Sequence, residues 1–513
     1  MLKRLQRQPW TCPQCIRQQR HVGKRRLVTS SNAKGSAAAA AVADDYQPAS
    51  RAAPSIALDD RTLRQIFDSP HVWKEFSSKT KYHNSGKSAG LFQNRYLTHP
   101  DGFQDFAAVT LTKCKRIVAA VLSYQTNDEL KRVARALDRL SDLLCRVIDL
   151  SDFVRSVHPD RKVQAAASQA YASMFEYMNV LNTTTGLNDQ LKRAAAIPEV
   201  YNSWSEEERT VAAILIKDFS KSAIDLAETD RQAFEAANDG LATNFNSRDG
   251  NALYQLPTIA LICDFSLPPA SHSNRPTLLS FREVTTLFHE MGHALHSICG
   301  RTALQNVSGT RCATDFAELP SVLMENFASA PEVLALYARH WETDAPLDPS
   351  RIQERVEVDR RMQGAEIESQ VLLGMLDQEY HSRLPLTWSD GGDGRESTKV
   401  YQSVWNKYSL VPEPAGTSWQ GFFGHLFGYG ATYYSYLFDR AIAGKIWRDV
   451  FQRAPGGAID PAAGQLFREE VLRHGGGRDG WRCVAGALGN KSGRLAEGEK
   501  GAMEEVGRWG VHS

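Results

Sequence analysis

A pair of histidines with a glutamate between them stands past the middle of the 513-residue sequence. His289, Glu290 and His293 form the pattern His-Glu-x-x-His. On a helix the two histidines lie one turn apart on one face, so two imidazole nitrogens can reach one tetrahedral Zn²⁺. Glu290, turned away by one residue, can meet a water on the metal instead of the metal itself. The pattern predicts a zinc site suited to hydrolysis.

The surrounding residues predict that this pattern does lie on a helix. Ser280 followed by Glu283 is typical of a capping box, in which the two side chains and backbone amides of a helix start bond reciprocally. Apolar residues then recur at helical spacing: Val284, Leu287, Phe288, Met291, Leu295 and Ile298. A chance match to so short a pattern is the alternative, and the helical context disfavours it.

A third ligand is needed, and its position separates the classes of zinc peptidase. The metzincin pattern requires glycine at 296 and histidine at 299, whereas the chain has His296 and Cys299, which argues against that class. Residues 314–327 predict a second helix, capped by Thr314 or Asp315.

Glu318 and Glu325 lie seven residues apart on that second helix and therefore share a face. A carboxylate from an antiparallel neighbouring helix would complete a His₂Glu site whose fourth position stays open for water. We favour Glu318 as the ligand and expect Glu325 just outside the ligand set.

Two stretches around these residues resemble a known family. Residues 288–296 and 315–321, Phe-His-Glu-Met-Gly-His-Ala-Leu-His and Asp-Phe-Ala-Glu-Leu-Pro-Ser, are similar to the thimet-oligopeptidase family of zinc metallopeptidases. The resemblance implies Glu318 as the third zinc ligand. It also implies a mainly α, multi-helical zincin-type fold, and we expect a small β element beside the zinc helix, with the best strand at 258–265.

A carboxy-terminal stretch is dense in aromatic residues. Residues 424–436 hold four tyrosines and one histidine among three glycines, a density that usually reflects core packing. A zinc peptidase also needs hydrogen-bond donors for the oxyanion that forms during attack on the carbonyl. The family resemblance implies that His425, Tyr429 and Tyr436 are such catalytic donors and that Tyr433 contacts substrate.

The first 43 residues carry nine lysines and arginines and no acidic residue. An Arg-rich, acid-free start followed by serine and alanine is typical of a mitochondrial transit peptide, and it lacks the apolar core of a secretory signal. We therefore expect a transit peptide at 1–43, an amino-terminal helical region at 44–237 and a zinc metallopeptidase catalytic region at 238–513. Within the helical region, helices are predicted at 126–157 and from Ser205 toward Phe234.

The composition argues against some classes of binding partner. A net charge of +1 gives no global attraction to nucleic acid, and no run of about 18 apolar residues predicts a membrane span. The eight scattered cysteines suggest no disulfide framework. We expect a monomer of the mitochondrial matrix that acts on precursor proteins or peptides.

Within the family, three further stretches resemble a mitochondrial member: 90–96, 257–265 and 414–419. The resemblance implies a zinc metalloendopeptidase that removes an amino-terminal octapeptide from imported precursors already cut once. The alternatives are a general oligopeptidase that degrades free presequence peptides and a non-catalytic helical protein that binds precursors. Family members are longer, and the shortening here is expected in the helical middle, between about 235 and 257.

Overall fold

The computed structural model describes residues 90–182, 184–221, 278–340, 342–382, 396–414, 416–428, 430–490 and 493–511, together with 259, 261, 263 and 265. These residues are mainly helical, as predicted. The only β pairing among them is an isolated bridge between Arg339 and Pro346. The four described residues of the predicted strand at 258–265 are not in a strand, and its other residues lie outside the described chain.

The amino-terminal helices pack around one apolar core. Their bounds are α1 Gly102–Leu122, α2 Asn127–Leu130, α3 Val133–Val157, α4 Arg161–Asn182, α5 Thr185–Ala196, α6 Pro198–Ser203 and α7 Glu206–Lys221. The helix α3 lies centrally, in contact with α1 and α4. Its buried stripe repeats every three or four residues, as in Leu137, Leu140 and Leu144.

The helix predicted at 126–157 is interrupted near its start. Thr126 and Glu129 form a capping box for the short α2, and α3 begins only at Val133. The carbonyl of Lys131, in the interruption, accepts a hydrogen bond from the buried indole Nε1 of Trp204 at 2.9 Å. A tertiary contact thus occupies a carbonyl at the point where the predicted helix breaks.

The predicted capping box before α7 is present. The Ser205 amide donates to Glu208 Oε2 at 2.7 Å, and the Glu208 amide donates to Ser205 Oγ at 3.2 Å. The helix is described as far as Lys221. Its predicted extension toward Phe234 lies outside the described residues, as does the predicted transit peptide at 1–43.

The second part of the chain supplies the remaining helices. They are α8 Phe281–Cys299, α9 Thr314–Ala317, α10 Leu319–Ser329, α11 Pro331–Tyr337, α12 Pro349–Ser382, α13 Glu396–Tyr408, α14 His425–Gly428, α15 Ser435–Ile446, α16 Pro461–Glu470, α17 Gly480–Ala487, α18 Arg494–Glu497 and α19 Glu499–Gly507. A π-helical turn, Trp447–Phe451, follows α15. The helices α8 and α10 pack closely on each other, and α15 covers α9 and α10.

Ser280 starts α8 as predicted. Its hydroxyl accepts from the Glu283 amide at 3.3 Å, while Glu283 Oε2 accepts from the Ser280 amide at 2.7 Å. The two bonds satisfy donors that a helix start leaves unpaired. The zinc-type motif therefore lies on a helix whose beginning is fixed by local sequence.

Two further clusters of buried apolar residues support this part of the chain. The larger includes Leu319, Ile442 and Phe467, and the smaller joins α12 and α13 to Phe423 and Tyr433. Among the described helices, none combines the length and apolar character that crossing a membrane requires. The division at residue 237 into two regions stays a prediction.

Candidate metal centre

The two histidines of α8 lie side by side in the contact with α10. His289 is 1% exposed and His293 is 6% exposed, and their ring centroids are 5.0 Å apart. Glu290, the next residue after His289, is only half-buried. Both imidazoles are thus withdrawn from water while the neighbouring carboxylate keeps partial access to it.

Glu318 lies where two helices meet, not inside one. The helix predicted over 314–327 is two helices, with Glu318 at the end of α9 and the start of α10. Pro320 explains the break, because proline lacks an N–H and its ring clashes with the carbonyl four residues earlier. In the first turn of a helix proline is tolerated, so α10 begins afresh.

The predicted cap of this second helix is wrong. Ala313 occupies the N-cap position of α9, and no side chain caps it. The Asp315 carboxylate instead accepts a hydrogen bond from the Tyr434 hydroxyl at 2.7 Å. Asp315 therefore ties the carboxy-terminal aromatic segment to the second motif.

One carboxylate oxygen of Glu318 faces both imidazoles. Glu318 Oε2 is 3.3 Å from His289 Nε2 and 3.5 Å from His293 Nε2. One ligand atom from each of the three residues lies within 4.8 Å of the others. Ligand atoms about 2.0–2.1 Å from one tetrahedral zinc ion are about 3.3–3.4 Å apart. The three side chains therefore fit a zinc ion in donor type and spacing.

Glu325 and Ser321 hold these side chains from behind. Glu325 Oε1 lies 2.6 Å from His289 Nδ1, which leaves Nε2 to face Glu318. Ser321 Oγ lies 3.0 Å from Glu318 Oε2. A carboxylate behind a metal-binding histidine fixes its orientation and raises its basicity. Glu325 thus lies outside the predicted ligand set and contacts one of its members.

The imidazoles and carboxylates of this group shift each other's pKa values. Burial acts to lower the pKa of His289, but the carboxylates of Glu318 and Glu325 outweigh it and raise that pKa to about 10. Burial acts to raise the pKa of Glu318, but the two imidazoles outweigh it and lower that pKa to about 2. For His293 burial dominates and lowers the pKa. A metal ion at Nε2 of His289 must take the place of a proton.

Gly292 lets the two helices approach. A Cβ at this position would lie 2.5 Å from the Cα of Ser321 and 2.6 Å from the carbonyl oxygen of Pro320. Both contacts are with backbone, which cannot move aside without moving α10. Residue 292, directly before His293, must therefore be glycine if Glu318 is to reach the two histidines.

His296 is not part of the group. Its ring is fully buried and packs edge-on against Phe316, with centroids 6.4 Å apart. Burial lowers the pKa of His296 to about 3. It is a neutral core residue, in keeping with the sequence argument that set the metzincin pattern aside.

Two of the predicted donors of the carboxy-terminal segment, His425 and Tyr436, form an aromatic cluster with Tyr433. The ring of His425 lies 4.8 Å from that of Tyr433 and 6.2 Å from that of Tyr436, centroid to centroid. The Tyr433 hydroxyl donates to Gln370 Oε1 at 2.9 Å. Tyr429 lies outside the described residues. The catalytic role of His425, Tyr429 and Tyr436 stays a prediction.

Asp377 of α12 holds this segment, and the sequence did not predict this contact. Its carboxylate is fully buried and accepts from the amides of Ala431 and Tyr433, each at 2.9 Å. Ala431 has φ +63°, a left-handed conformation that is costly outside glycine. Two charge-assisted hydrogen bonds therefore hold a strained turn next to the tyrosines. No local sequence signal links residues so far apart.

Asp439 of α15 is a second carboxyl that sequence reasoning missed. It is fully buried beside Glu318 and Asp315. Burial, reinforced by these two carboxylates, raises the pKa of Asp439 well above its usual range, and the backbone amide of Glu318 only partly opposes this. The shift favours the neutral form of Asp439, which adds no negative charge beside Glu318.

Comparison with known proteins decides the family. A model of peptidase family M3 matches residues 71–495. The chain belongs to that family. The helical zincin-type fold of M3 peptidases agrees with the predicted fold class, and the chain is a metallopeptidase. Zinc dependence is general in the M3 family, and the His₂Glu group suits it.

Curated relatives match this M3 peptidase over its whole length. The mitochondrial intermediate peptidase of Aspergillus clavatus is 38% identical over 802 aligned residues, covering 100% of this chain and 99% of that protein. The proteins of the same name from Botryotinia fuckeliana and Phaeosphaeria nodorum are 36% and 34% identical, with both chains covered completely. The sequence resemblance to the M3 family is thereby confirmed.

The M3 relatives are longer than this chain. Their alignments extend over about 800 positions, against 513 residues here. The expected shortening is confirmed. Its placement between about 235 and 257 stays a prediction.

The close contact at Gly292 predicts that a larger residue there weakens both zinc binding and stability. In Gly292→Ala the added methyl forces α8 away from α10, and we expect zinc affinity to fall about tenfold or more and stability to fall by about 1–3 kcal/mol. Zinc affinity is measured by competition with a chromophoric chelator, and stability by thermal unfolding of the metal-free protein.

Gly364→Ala is the matched control. Gly364 lies within α12, and a Cβ there meets nothing within 4 Å. This variant should bind zinc as the parent does and gain about 0.4–1 kcal/mol of stability. Equal zinc affinity in the two variants would contradict the role given to Gly292.

Proposed function

We propose that the chain is a zinc metalloendopeptidase that removes an amino-terminal octapeptide from imported precursor intermediates in the mitochondrial matrix. The observation that carries the zinc assignment is the pair of distances from Glu318 Oε2 to the two imidazoles, 3.3 and 3.5 Å, with Glu325 behind one of them. His289, His293 and Glu318 hold the ion. The substrate assignment is supported by the names of the relatives, which are mitochondrial intermediate peptidases.

When bound, zinc supplies a Lewis acid that polarises the scissile carbonyl and lowers the pKa of an attacking water to about 7. Glu290 takes a proton from that water as its oxygen adds to the carbonyl carbon. The same carboxyl then gives the proton to the leaving amine as the C–N bond breaks. The half-buried position of Glu290, next to the buried His289 and close enough to His293 to act on it electrostatically, supports this role.

His425, Tyr429 and Tyr436 donate hydrogen bonds to the carbonyl oxygen as negative charge develops on it. Donors held in place before the reaction stabilise that charge without reorganisation. The aromatic cluster around His425 and Tyr433 supports such preorganisation, since its rings pack against one another at 4.8–5.2 Å. The Asp377 anchor on the preceding turn supports it further.

The substrate assignment predicts a defined product. A precursor intermediate carrying an amino-terminal octapeptide should be shortened once, with release of the intact octapeptide, and the same protein without that octapeptide should remain uncut. The products are identified by mass spectrometry of both fragments.

Other outcomes would support the two rival functions. Cleavage of free presequence peptides at several bonds, with the precursor left whole, would indicate a general oligopeptidase. Binding of the precursor by the zinc-loaded chain without any product would indicate a non-catalytic binding protein. Either result would overturn the proposed processing activity.

The role of Glu290 predicts that metal binding and turnover separate. Glu290→Gln removes the proton acceptor while its amide keeps the size of the side chain, so zinc content should be unchanged and kcat should fall at least about 10²-fold. Glu318→Ala, in contrast, should lose both zinc and turnover. Zinc is measured on purified protein by elemental analysis, and a Glu290→Gln enzyme with near-normal kcat would refute the assignment.

The donor role of Tyr436 predicts a loss confined to the transition state. Tyr436→Phe should lower kcat and kcat/KM together, by about 10²–10³-fold, with KM little changed. Tyr201→Phe, in the amino-terminal helix α6, is the control and should leave both constants unchanged. A change in KM alone would make Tyr436 a residue that binds substrate instead.

A further inference from the structure

The link between the two metal-binding motifs consists of residues 300–313. It leaves α8 after the histidines and enters α9 just before Glu318. Its only regular element is a single 3₁₀ turn, Gln305–Val307. Because so little secondary structure fixes the link, contacts from elsewhere in the chain must set its path.

Asp138, near the start of α3, supplies the strongest of these contacts. This carboxylate is 5% exposed, although it belongs to the amino-terminal helices. Its Oδ2 accepts from the Gln305 amide at 3.0 Å, and its Oδ1 accepts from the amide and the side-chain Nδ2 of Asn306, both at 2.8 Å. Hydrogen bonds to a charged acceptor are about twice as strong as neutral ones, and a buried carboxylate is tolerated only with such partners.

Glu207 of α7 continues the same contact. Its Oε2 accepts from the amides of Ala303 at 2.9 Å and Leu304 at 3.3 Å. The amides of four successive residues, 303–306, are therefore all bound by carboxylates of the amino-terminal helices. The link is held there by these carboxylates, in addition to the apolar packing of Leu304 and Val307 against Val211 of α7.

The opposite side of the link rests on the carboxy-terminal part of the chain. The Gly476 amide donates to the Val307 carbonyl at 2.8 Å, and the Arg301 amide donates to the Arg473 carbonyl at 2.8 Å. The link is thus held on one side by the amino-terminal helices and on the other by residues 473–476. Removing the carboxylate side leaves the 303–306 amides without their acceptors while the other side stays in place.

We propose that Asp138 is a positioning residue of the metal centre: by holding the 303–306 turn, it sets Glu318 opposite His289 and His293. The proposal rests on the proposed zinc binding by these three residues. It assigns the amino-terminal helices a direct part in building the site, beyond enclosing it.

The test measures zinc affinity of the full chain by chelator competition. Asp138→Asn replaces one acceptor oxygen by an NH₂ group, which opposes an amide that it previously bound, and we expect affinity to fall about tenfold or more. Asn306→Ala removes only the bond from the Asn306 side chain to Asp138. We expect it to disturb folding less than Asp138→Asn and to lower zinc affinity by a smaller factor. Asp142→Asn, on the same helix, removes a carboxylate that pairs with Arg139 and Arg146 among the described residues, and it should leave zinc affinity unchanged.

A core variant separates the effect of a general loss of stability from the effect of losing the Asp138 contact. Leu140→Ala truncates a buried side chain of α3 that belongs to the apolar core, so it lowers the melting temperature without touching the link. The inference stands if Asp138→Asn, or Asn306→Ala where the first does not fold, loses more zinc affinity than Leu140→Ala at an equal or smaller fall in melting temperature.

Two different results would overturn the positioning role of Asp138. If the parent binds one zinc ion and Asp138→Asn and Asn306→Ala bind it equally well, or lose affinity only in step with Leu140→Ala, the positioning role is wrong. If the parent binds no zinc at this site, the proposed function itself fails and the inference falls with it. The absorption spectrum of the Co²⁺-loaded proteins provides an independent readout, since a displaced Glu318 alters the ligand geometry.

Discussion

The close crossing of α8 and α10 is the constraint on which the rest of this structure depends. The helices meet at Gly292, where a methyl group would strike the backbone of Pro320 and Ser321. Only this approach brings one oxygen of Glu318 within 3.3 and 3.5 Å of two imidazoles on the other helix. The helix break at Pro320 places Glu318 at the junction of α9 and α10.

Buried carboxylates fix the structure around that crossing. Asp138 and Asp377 are almost fully buried, and each binds two backbone amides of a segment that lies outside the α-helices. Glu318 is 2% exposed and is balanced by two imidazoles. Asp439, beside Glu318, is the exception, because burial and the neighbouring carboxylates raise its pKa well above its usual range. An ionised carboxylate in the interior costs several kcal/mol unless it is paired, so these partners are what makes the arrangement tolerable.

The difference between what the sequence predicted and what it did not follows the range of the interactions. The capping box at Ser280 and the helical histidine pair depend on residues three and four apart, and both are as predicted. The break before α10 was missed although Pro320 could have indicated it. Asp138 and Asp377 had no signal at all, because their partners lie 168 and 54 residues away and neither sits in a motif.

The shortness of the chain bears on its surface more than on its metal centre. Three apolar side chains around the end of α13 and the following turn are strongly exposed: Leu410 at 89%, Phe422 at 87% and Val411 at 74%. Each such side chain forgoes about 1.5–3 kcal/mol of burial, so a surface that covered them would add stability. The contacts around the ligands, in contrast, join Asp138 to the 303–306 turn and Asp439 to Glu318, and all of them lie within the described residues. Apolar surface is therefore left uncovered in this M3 peptidase, while its three metal-binding side chains keep the spacing that a zinc ion requires.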